Sequence, residues 1–452
     1  MDRKHHLKIV VIGLGQCGGN FANEFARLGY KAMALNTSTT DLKDLDAIPN
    51  DFKVHIGLSG RNGAGKDRRL GHKSLASNRD KVMERVRTLA RGADLLLLTG
   101  GMGGGTGSNL ADLVSLLTPT GLPMSCLVTI PTESESGITK VNAVYGLNNL
   151  ARSKSSNLII IDNSKILKIF PDATIADFYR RANQLVARTL AEFNSTNDEM
   201  KSISIRSFDS EDFRKVFLSG GVVVFGATSI KVEDHITEDT IFGRLKQLWD
   251  SSGLLAEGFD YTTASLAAVI FYAPESVLAR SSANIMEKLN NSIKKLTQGA
   301  AVYTGIYQTK EPGPVKIFTM LGRLSLPNRI VNLMSQAAIE GQHLAQKVKQ
   351  KMPTLDLTEI ESMEFFFDDS SAFDEKAGPM SRPVSIAASL KDPDVEVRKR
   401  AIATLADTAD SSNSPAIISL LNDPDEGVRM EAARALRKIA MAENSGMQPG
   451  TA

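Results

Sequence analysis

Two glycine-rich stretches, a Tyr–Asn pair and an acidic pair are the parts of this 452-residue chain whose spacing suits chemistry. Gly100-Gly101-Met102-Gly103-Gly104-Gly105-Thr106-Gly107-Ser108 follows an apolar run at 93–99 that predicts a buried strand, and precedes 109–117, whose apolar spacing predicts a helix. Glycines at such a junction let the backbone fold back and present bare N–H groups. The helix amino terminus behind them adds partial positive charge, so the junction suits phosphate. A second junction opens the chain: a strand at 7–12, a turn at 13–19 and a helix at 20–28. Its Gly13, Gly15 and Gly18 fit GxGxxG, but a dinucleotide-binding unit also needs an acid at the end of the next strand. That strand, 31–35, ends in Asn36-Thr37-Ser38. Gly60 to Lys66 fits GxxxxGK, yet Asp67 stands where a P-loop uses Ser or Thr to hold magnesium. Tyr179 and Asn183, four apart on a predicted helix at 173–194, share a face from which a ring can stack on a purine and an amide can bond its edge. Asp209 and Asp212, three apart at a helix start, can project toward one point and polarise a water; Asp209 alone would cap the helix.

The elements that must position these residues alternate through 1–170 as β-branched strands and helices, the pattern of a parallel sheet covered on both faces. Ligands of such sheets bind at the carboxyl ends of strands, where both glycine junctions fall. Strands are predicted near 221–225, 267–272, 301–308 and 315–321 with helices between, a smaller α+β domain. A long helix at 327–351 follows, with Ile330, Leu333, Met334, Ala337, Ala338 and Leu344 broadly on one side. Residues 366–379 are acidic, polar and rich in breakers, hence a linker. Beyond it, Leu390-Lys391-Asp392-Pro393 to Ala401 repeats as Leu421-Asn422-Asp423-Pro424 to Ala432 at an offset of 31. Asp then Pro predicts a cap and first turn in each copy, with Leu405 and Leu436 at matching core positions. This pattern resembles HEAT repeats in a short form.

Taken together, the loops resemble those of the tubulin/FtsZ superfamily. Gly15-Gln16-Cys17-Gly18 is similar to the tubulin form of the first loop and Gly19-Asn20 to the FtsZ form. Residues 103–108 match the signature GGGTG[ST]; Gly63-Ala64-Gly65 resembles the third phosphate loop, and Val128-Thr129-Ile130-Pro131 the strand into the fifth. Residues 159–167 resemble the strand and loop whose Asn recognises guanine, and Ser207-Phe208-Asp209-Ser210-Glu211-Asp212 the seventh loop, NxDxxD. The resemblance spans roughly 7–350. It implies nucleotide contacts from Gly15, Gln16, Cys17, Gly18, Asn20, Gly103, Gly104, Gly105, Thr106, Gly107, Ser108, Glu135, Asn163, Tyr179 and Asn183, and catalysis by Asp209 and Asp212 reaching the neighbouring subunit's nucleotide. The cofactors implied are GTP/GDP with Mg2+, with no metal ligand assigned. Four positions depart from the pattern. Ser207 replaces the Asn, Asn109 replaces the closing Gly, and Ser38 stands where relatives carry an acid near magnesium. Thr139 or Lys140 falls where FtsZ carries an Arg.

The fold class expected is α/β. A GTP-binding parallel-sheet domain covers 1–172, a central helix and connection 173–205, and a smaller α+β, GTPase-activating domain 206–352. A linker at 353–383, HEAT-like repeats at 384–440 and a disordered tail at 441–452 complete the chain. The function expected is a filament-forming GTPase with an intersubunit active site, its partner being itself and, through the repeats, another protein. The rival readings are a non-hydrolysing GTP-binding scaffold and a nucleotide-dependent oxidoreductase. Lys and Arg number 53 against 51 Asp and Glu, a net charge of +2, so there is no strong signal for nucleic acid. Two cysteines, Cys17 and Cys126, make no disulfide framework. The first strand lies within ten residues of Met1 and no apolar run spans a bilayer, which predicts a cytoplasmic protein.

Overall fold

Consecutive apolar residues without alternation make strands that are buried on both faces, and this chain uses them to build one large sheet. The computed structural model describes residues 5–349, 390, 392–407 and 414–444, apart from short breaks at 154, 156, 173, 196–201, 232–236, 252–256, 282–284 and 311. The strands are β1 (Ile9–Leu14), β2 (Lys31–Asn36), β3 (Lys53–His55), β4 (Leu95–Gly101), β5 (Met124–Ile130), β6 (Asn157–Asp162), β7 (Ser202–Arg206), β8 (Val222–Ile230), β9 (Leu266–Pro274), β10 (Ala301–Thr309) and β11 (Val315–Leu324). Their order is β3-β2-β1-β4-β5-β6-β8-β11-β9-β10-β7. β1 to β6 are mutually parallel, and β8 joins β6 in parallel through Leu158 and Val222. β11 then runs antiparallel to both β8 and β9, and β7 antiparallel to β10. One sheet therefore carries the strands of both 1–172 and 206–352, and residues Met1–Thr354 form one compact unit.

The first helix differs from its expected position. It spans Gly15–Arg27 and begins directly at the end of β1, not after a turn at 13–19. Gly13 and Gly18 serve close packing instead. A Cβ on Gly13 would lie 2.2 Å from the Gly18 carbonyl oxygen, and one on Gly18 2.2 Å from that of Thr99 on β4. Bare backbone lets this helix lie directly on the sheet. The central helix spans Ile175–Phe193. The long helix Asn328–Lys349 buries Ile330, Leu333 and Ala337, whereas Met334 is 52% exposed and Ala338 faces out with it, a narrower apolar stripe than expected. Leu344 lies outside the residues whose side chains are described. Strands β3 and β7 were not expected. β3 has three residues, and β7 alternates Ser and Ile with Ile203 and Ile205 turned outward at the sheet edge.

The second unit, Leu355–Ala452, has its own core of Leu390, Ala401, Ile402, Ile417, Val428, Ala432 and Ile439, with Leu405 and Leu436 half-buried against it. Its helices include Val395–Asp407 and Glu426–Asn444. The cap falls two residues later than the Asp-Pro pair. Asp394 Oδ1 accepts from Glu396 N at 2.9 Å and Asp425 Oδ1 from Val428 N at 3.0 Å. Asp392 and Asp423 instead tighten the preceding turn. The repeat is geometric as well as sequential. Arg398 Nη1 donates to the carbonyls of Asp392 and Pro393, and Arg429 Nη1 to those of Asp423 and Pro424. Arg398 Nη2 also pairs with Asp423 at 2.9 Å, a buried bridge that joins the two copies. The expected linker at 353–383 lies outside the described residues. Of the expected tail, 441–444 continue the last helix and 445–452 lie outside them.

Candidate functional site

Five parallel strands, β1, β2, β4, β5 and β6, end at one cavity of about 680 Å³, which their following loops surround. Parallel strands aim their carboxyl ends at the same edge, so loops far apart in sequence converge there. Gly15, Gln16, Cys17, Asn20, Gly103, Gly104, Gly105, Thr106, Gly107, Glu135, Asn163, Tyr179 and Asn183 all line it. Gly18 and Ser108 do not. Gly18 packs the first helix onto β4, and Ser108 Oγ donates to the Gly104 carbonyl at 2.6 Å, which holds the glycine loop in shape.

That loop is braced at several points. Gly15, at φ 74°, adopts the left-handed backbone that favours glycine. Thr106 and Thr37 share a hydrogen bond between hydroxyls at 2.9 Å. Asn109, in place of a glycine, sits at φ −93° and so has no left-handed conformation to tolerate. Its amide works instead, donating to Gly105 O at 2.8 Å and Arg68 O at 3.0 Å, which ties the glycine loop to the segment after Gly63-Ala64-Gly65.

At the other end of the cavity Asn183 is 7% exposed and Tyr179 is 50% exposed, with Asn163 and Ile166 nearby on the lining. Burial raises the Tyr179 phenol above its ordinary value, and the charge of Glu135 adds to that. Glu135 Oε1 accepts from Thr132 N at 3.0 Å. Burial also pushes the Cys17 thiol up to about 11, and its Sγ contacts Thr129 Oγ1 at 3.3 Å, so it is an uncharged wall at neutral pH.

Sequence reasoning missed Asn36, Thr37, Asp41, Asn62, Lys66 and Thr129 on the lining. Asp41 matters most. Ser38 leaves the end of β2 without an acid, but Asp41 supplies one from the first turn of helix Thr39–Lys43, whose cap is Ser38 itself. Asn36 Nδ2 donates to Asp41 Oδ2 at 3.0 Å and Gln16 Nε2 to Oδ1 at 3.4 Å. The signal was available, since the loop after each parallel strand faces the ligand edge.

Asp209 and Asp212 do not line the cavity; they lie at the opposite end of the same strands. Asp209 caps helix Ser210–Phe217, accepting through Oδ1 from Glu211 N and Asp212 N at 2.9 Å each. Asp212 Oδ2 accepts from Asp209 N at 3.4 Å, completing a capping box. The helix leads into β8 at Val222, which is level with the start of β6. Its Arg214 is 3.8 Å from Asp94, just before β4, and Asp94 accepts from Lys8 N, just before β1. The acidic pair is thus at the amino ends of the parallel strands, and the cavity at their carboxyl ends. The loop is anchored: Tyr307 Oη accepts from Phe208 N at 2.8 Å and donates to Phe208 O at 3.1 Å.

His6 packs on this loop, stacked on Phe213 and edge-on to Phe208. Burial pushes its pKa down to about 4, outweighing the pull of Asp209 and adding to the push of His5. Between pH 6.5 and 4 the unfolded chain accepts a proton that the folded chain refuses, so this contribution to stability is lost on acidification. The difference between pH 7 and pH 5 is about 2 kcal/mol. The urea midpoint should therefore fall more steeply with acid in the native protein than in His6→Phe; parallel pH profiles would refute this.

Residues 8–171 match the model of the Tubulin/FtsZ family, GTPase domain; 200–334 that of the Tubulin/FtsZ-like protein TubZ-like, C-terminal domain; and 383–445 that of HEAT repeats. The tubulin-like protein CetZ of Pyrococcus abyssi is 26% identical over 322 residues, covering 70% of this chain and 85% of that protein. The tubulin-like protein TubZ of Bacillus cereus is 25% identical over 420 residues, covering 86% of this chain and 94% of that one. The crystal structure of a GTPγS-form protofilament of TubZ from Bacillus thuringiensis serovar israelensis shares the fold, with TM-score 0.65 at 20% identity, over 77% of this chain and 96% of that one. Among the described residues no helix is long and apolar enough to cross a membrane.

Proposed function

We propose that this chain, a member of the tubulin/FtsZ family that carries its GTPase domain, a TubZ-like C-terminal domain and HEAT repeats, binds GTP, hydrolyses it and assembles head to tail into filaments. The observation that carries the reading is the separation of its two chemical ends. The cavity opens at the carboxyl ends of the parallel strands and the acids stand at their amino ends. One molecule cannot bring them together. A second molecule stacked behind the first can, and such a heterologous contact repeats without closing. The protofilament described for the TubZ relative supports this geometry.

In this site Asn183 and Asn163 bond the guanine edge, Tyr179 stacks on the ring, and the backbone of Gly103–Gly107 with the first loop cradles the phosphates. The neighbour's Asp209 and Asp212 each commit one carboxylate oxygen to the capping box, leaving the other to accept from water. The polarised water attacks the γ-phosphorus as the bond to the β-phosphate oxygen breaks. Its proton passes to the carboxylate and then to phosphate, and GDP and phosphate result. Asp41, an oriented carboxylate that accepts from Asn36 Nδ2 and Gln16 Nε2 on the cavity wall, would hold a magnesium ion there. When bound, the ion supplies neutralisation of phosphate charge. The HEAT repeats are assigned to a protein partner, and the chain to the cytoplasm.

Phosphate release measured against protein concentration tests the whole reading. Release rising steeply above a threshold supports a site completed by assembly; absent release overturns it in favour of a scaffold, and release merely proportional to concentration overturns the site shared between molecules. At the base end, Asn183→Ala is expected to weaken GTP binding roughly five- to a hundredfold and to lower discrimination against ATP, since a buried partner is left unpaired at about 1–3 kcal/mol. A titration with both nucleotides reads this out, and unchanged values remove Asn183 from the site.

A further inference from the structure

A nucleoside triphosphate brings several negative charges into a cavity that already holds two carboxylates, Asp41 and Glu135. Among its described lining residues Lys66 is the sole lysine or arginine. We propose that Lys66 is the phosphate-binding cation of this pocket, delivered by the loop after β3, and that it sets the pocket's preference for phosphorylated guanosine. The proposal rests on the guanine-nucleotide reading above and adds a residue which that reading does not need.

The backbone at Lys66 is held in a costly place. Its φ is 66°, left-handed for a residue that is not glycine, in a loop where Gly63 and Gly65 also have positive φ. Such a conformation persists where the surroundings enforce it, and functional loops are where it concentrates. The enforcement is visible. Asn142 Nδ2 donates to the Lys66 carbonyl at 2.9 Å. On its other side Asp67 caps helix Arg68–Ser77. Gly105, in the middle of the signature loop, lies so close that a Cβ there would be 2.8 Å from Asp67 N and 2.9 Å from the Lys66 carbonyl carbon. The Lys66 backbone is therefore wedged against the glycine loop.

The side chain has neutral partners only. Nζ donates to Thr139 Oγ1 at 3.0 Å and Ser136 Oγ at 3.4 Å, and among the described residues it has no ion pair. Ser136 and Thr139 are at the amino end of helix Gly137–Ala151, whose dipole is positive there. An ammonium resting on the positive end of a helix gains little from its surroundings, and an anion between them would satisfy both. The neighbouring cation is not available for this. Lys140 is buried and paired with Glu340 of the long helix at 2.6 Å. Of the two positions where an arginine was sought, Thr139 reaches the cavity without a charge and Lys140 has a charge turned away from it. Lys66 supplies the missing charge from a different loop, its Nζ resting on Thr139 itself.

Calorimetric titration of the full chain with GTPγS, GDP and guanosine tests the assignment in the native protein and in Lys66→Gln, Lys66→Gly and Lys66→Arg. Glycine is the important control, because it relaxes the left-handed backbone while removing the charge. Both neutral variants should bind GTPγS at least about tenfold more weakly, lose less for GDP and keep guanosine affinity, while Lys66→Arg restores GTPγS binding. The dependence of GTPγS affinity on salt should also flatten in the neutral variants. GTPγS affinity within twofold of native in Lys66→Gly, or an equal loss for guanosine, overturns the assignment while leaving the guanine-nucleotide reading intact. Failure of the native protein to bind any of the three overturns both.

Discussion

Asp212→Asn is expected to bind GTP as the native chain does and to turn it over at least about tenfold more slowly, a barrier increase of roughly 1.4 kcal/mol. Binding survives because the residue is at the far end of the strands from its own cavity. Asparagine also retains an acceptor for the Asp209 N–H, so the capping box and the helix start are preserved while the charge is lost. Filaments should then persist, since GTP remains intact at the contacts. A mixture gives the directional proof. Thr106→Arg obstructs the cavity but leaves the acids untouched, so it too is inactive alone. Mixed with Asp212→Asn, contacts that join the intact cavity of one chain to the intact acids of the other regain hydrolysis. A wild-type rate in Asp212→Asn removes the composite mechanism, and so does a mixture that stays silent although Thr106→Arg enters filaments.

What was legible in the sequence follows the physics of each element. The run at 95–98 has no polar alternation and reads as a buried parallel strand, and 159–161 reads the same way through its resemblance, so the ligand edge followed from the ends of those strands. The glycine loops and the Tyr179–Asn183 pair carry their geometry in local spacing, and they line the cavity together. The start of the first helix was misplaced because glycine signals both a turn and a close packing, and only the approach of Gly18 to Thr99 distinguishes the two. Asp41 and Lys66 were passed over because motif patterns direct attention to Ser38 and to a P-loop that is not there. Their relevance comes from which strands end side by side, a long-range fact. The caps of the repeats shifted from Asp392 to Asp394 because several Asp oxygens compete for nearby N–H groups, a choice decided by turn geometry.

The same long-range logic makes Arg329 a position where one substitution should cost much stability. It stands in the first turn of the long helix and is 4% exposed. Its Nε donates to Asp162 Oδ2 at 3.1 Å and its Nη2 to the Pro131 carbonyl at 2.9 Å, so one guanidinium holds the ends of β5 and β6 together. Asp162, fully buried, uses Oδ1 to accept from Ser164 N. Burial raises its carboxyl above the ordinary range even against the charge of Arg329. Arg329→Met would leave that carboxylate buried without its guanidinium partner, at a cost of about 3–5 kcal/mol. Asp162→Asn in the same chain removes the stranded charge but preserves the Ser164 cap, so the double variant should regain much of the loss. Urea midpoints of the two single variants and the double variant measure this coupling, and additive losses would show that the pair does not interact. The consequence reaches the ligand, because Asn163 follows Asp162 directly and Pro131 also lines the cavity. Nucleotide binds only the folded arrangement. A hundredfold excess over its dissociation constant therefore adds about 2.7 kcal/mol, which should restore much of the Arg329→Met midpoint. An unfolding free energy for Arg329→Met within about 1 kcal/mol of native without nucleotide would show that the bridge contributes little, and would detach the long helix from the argument about the pocket.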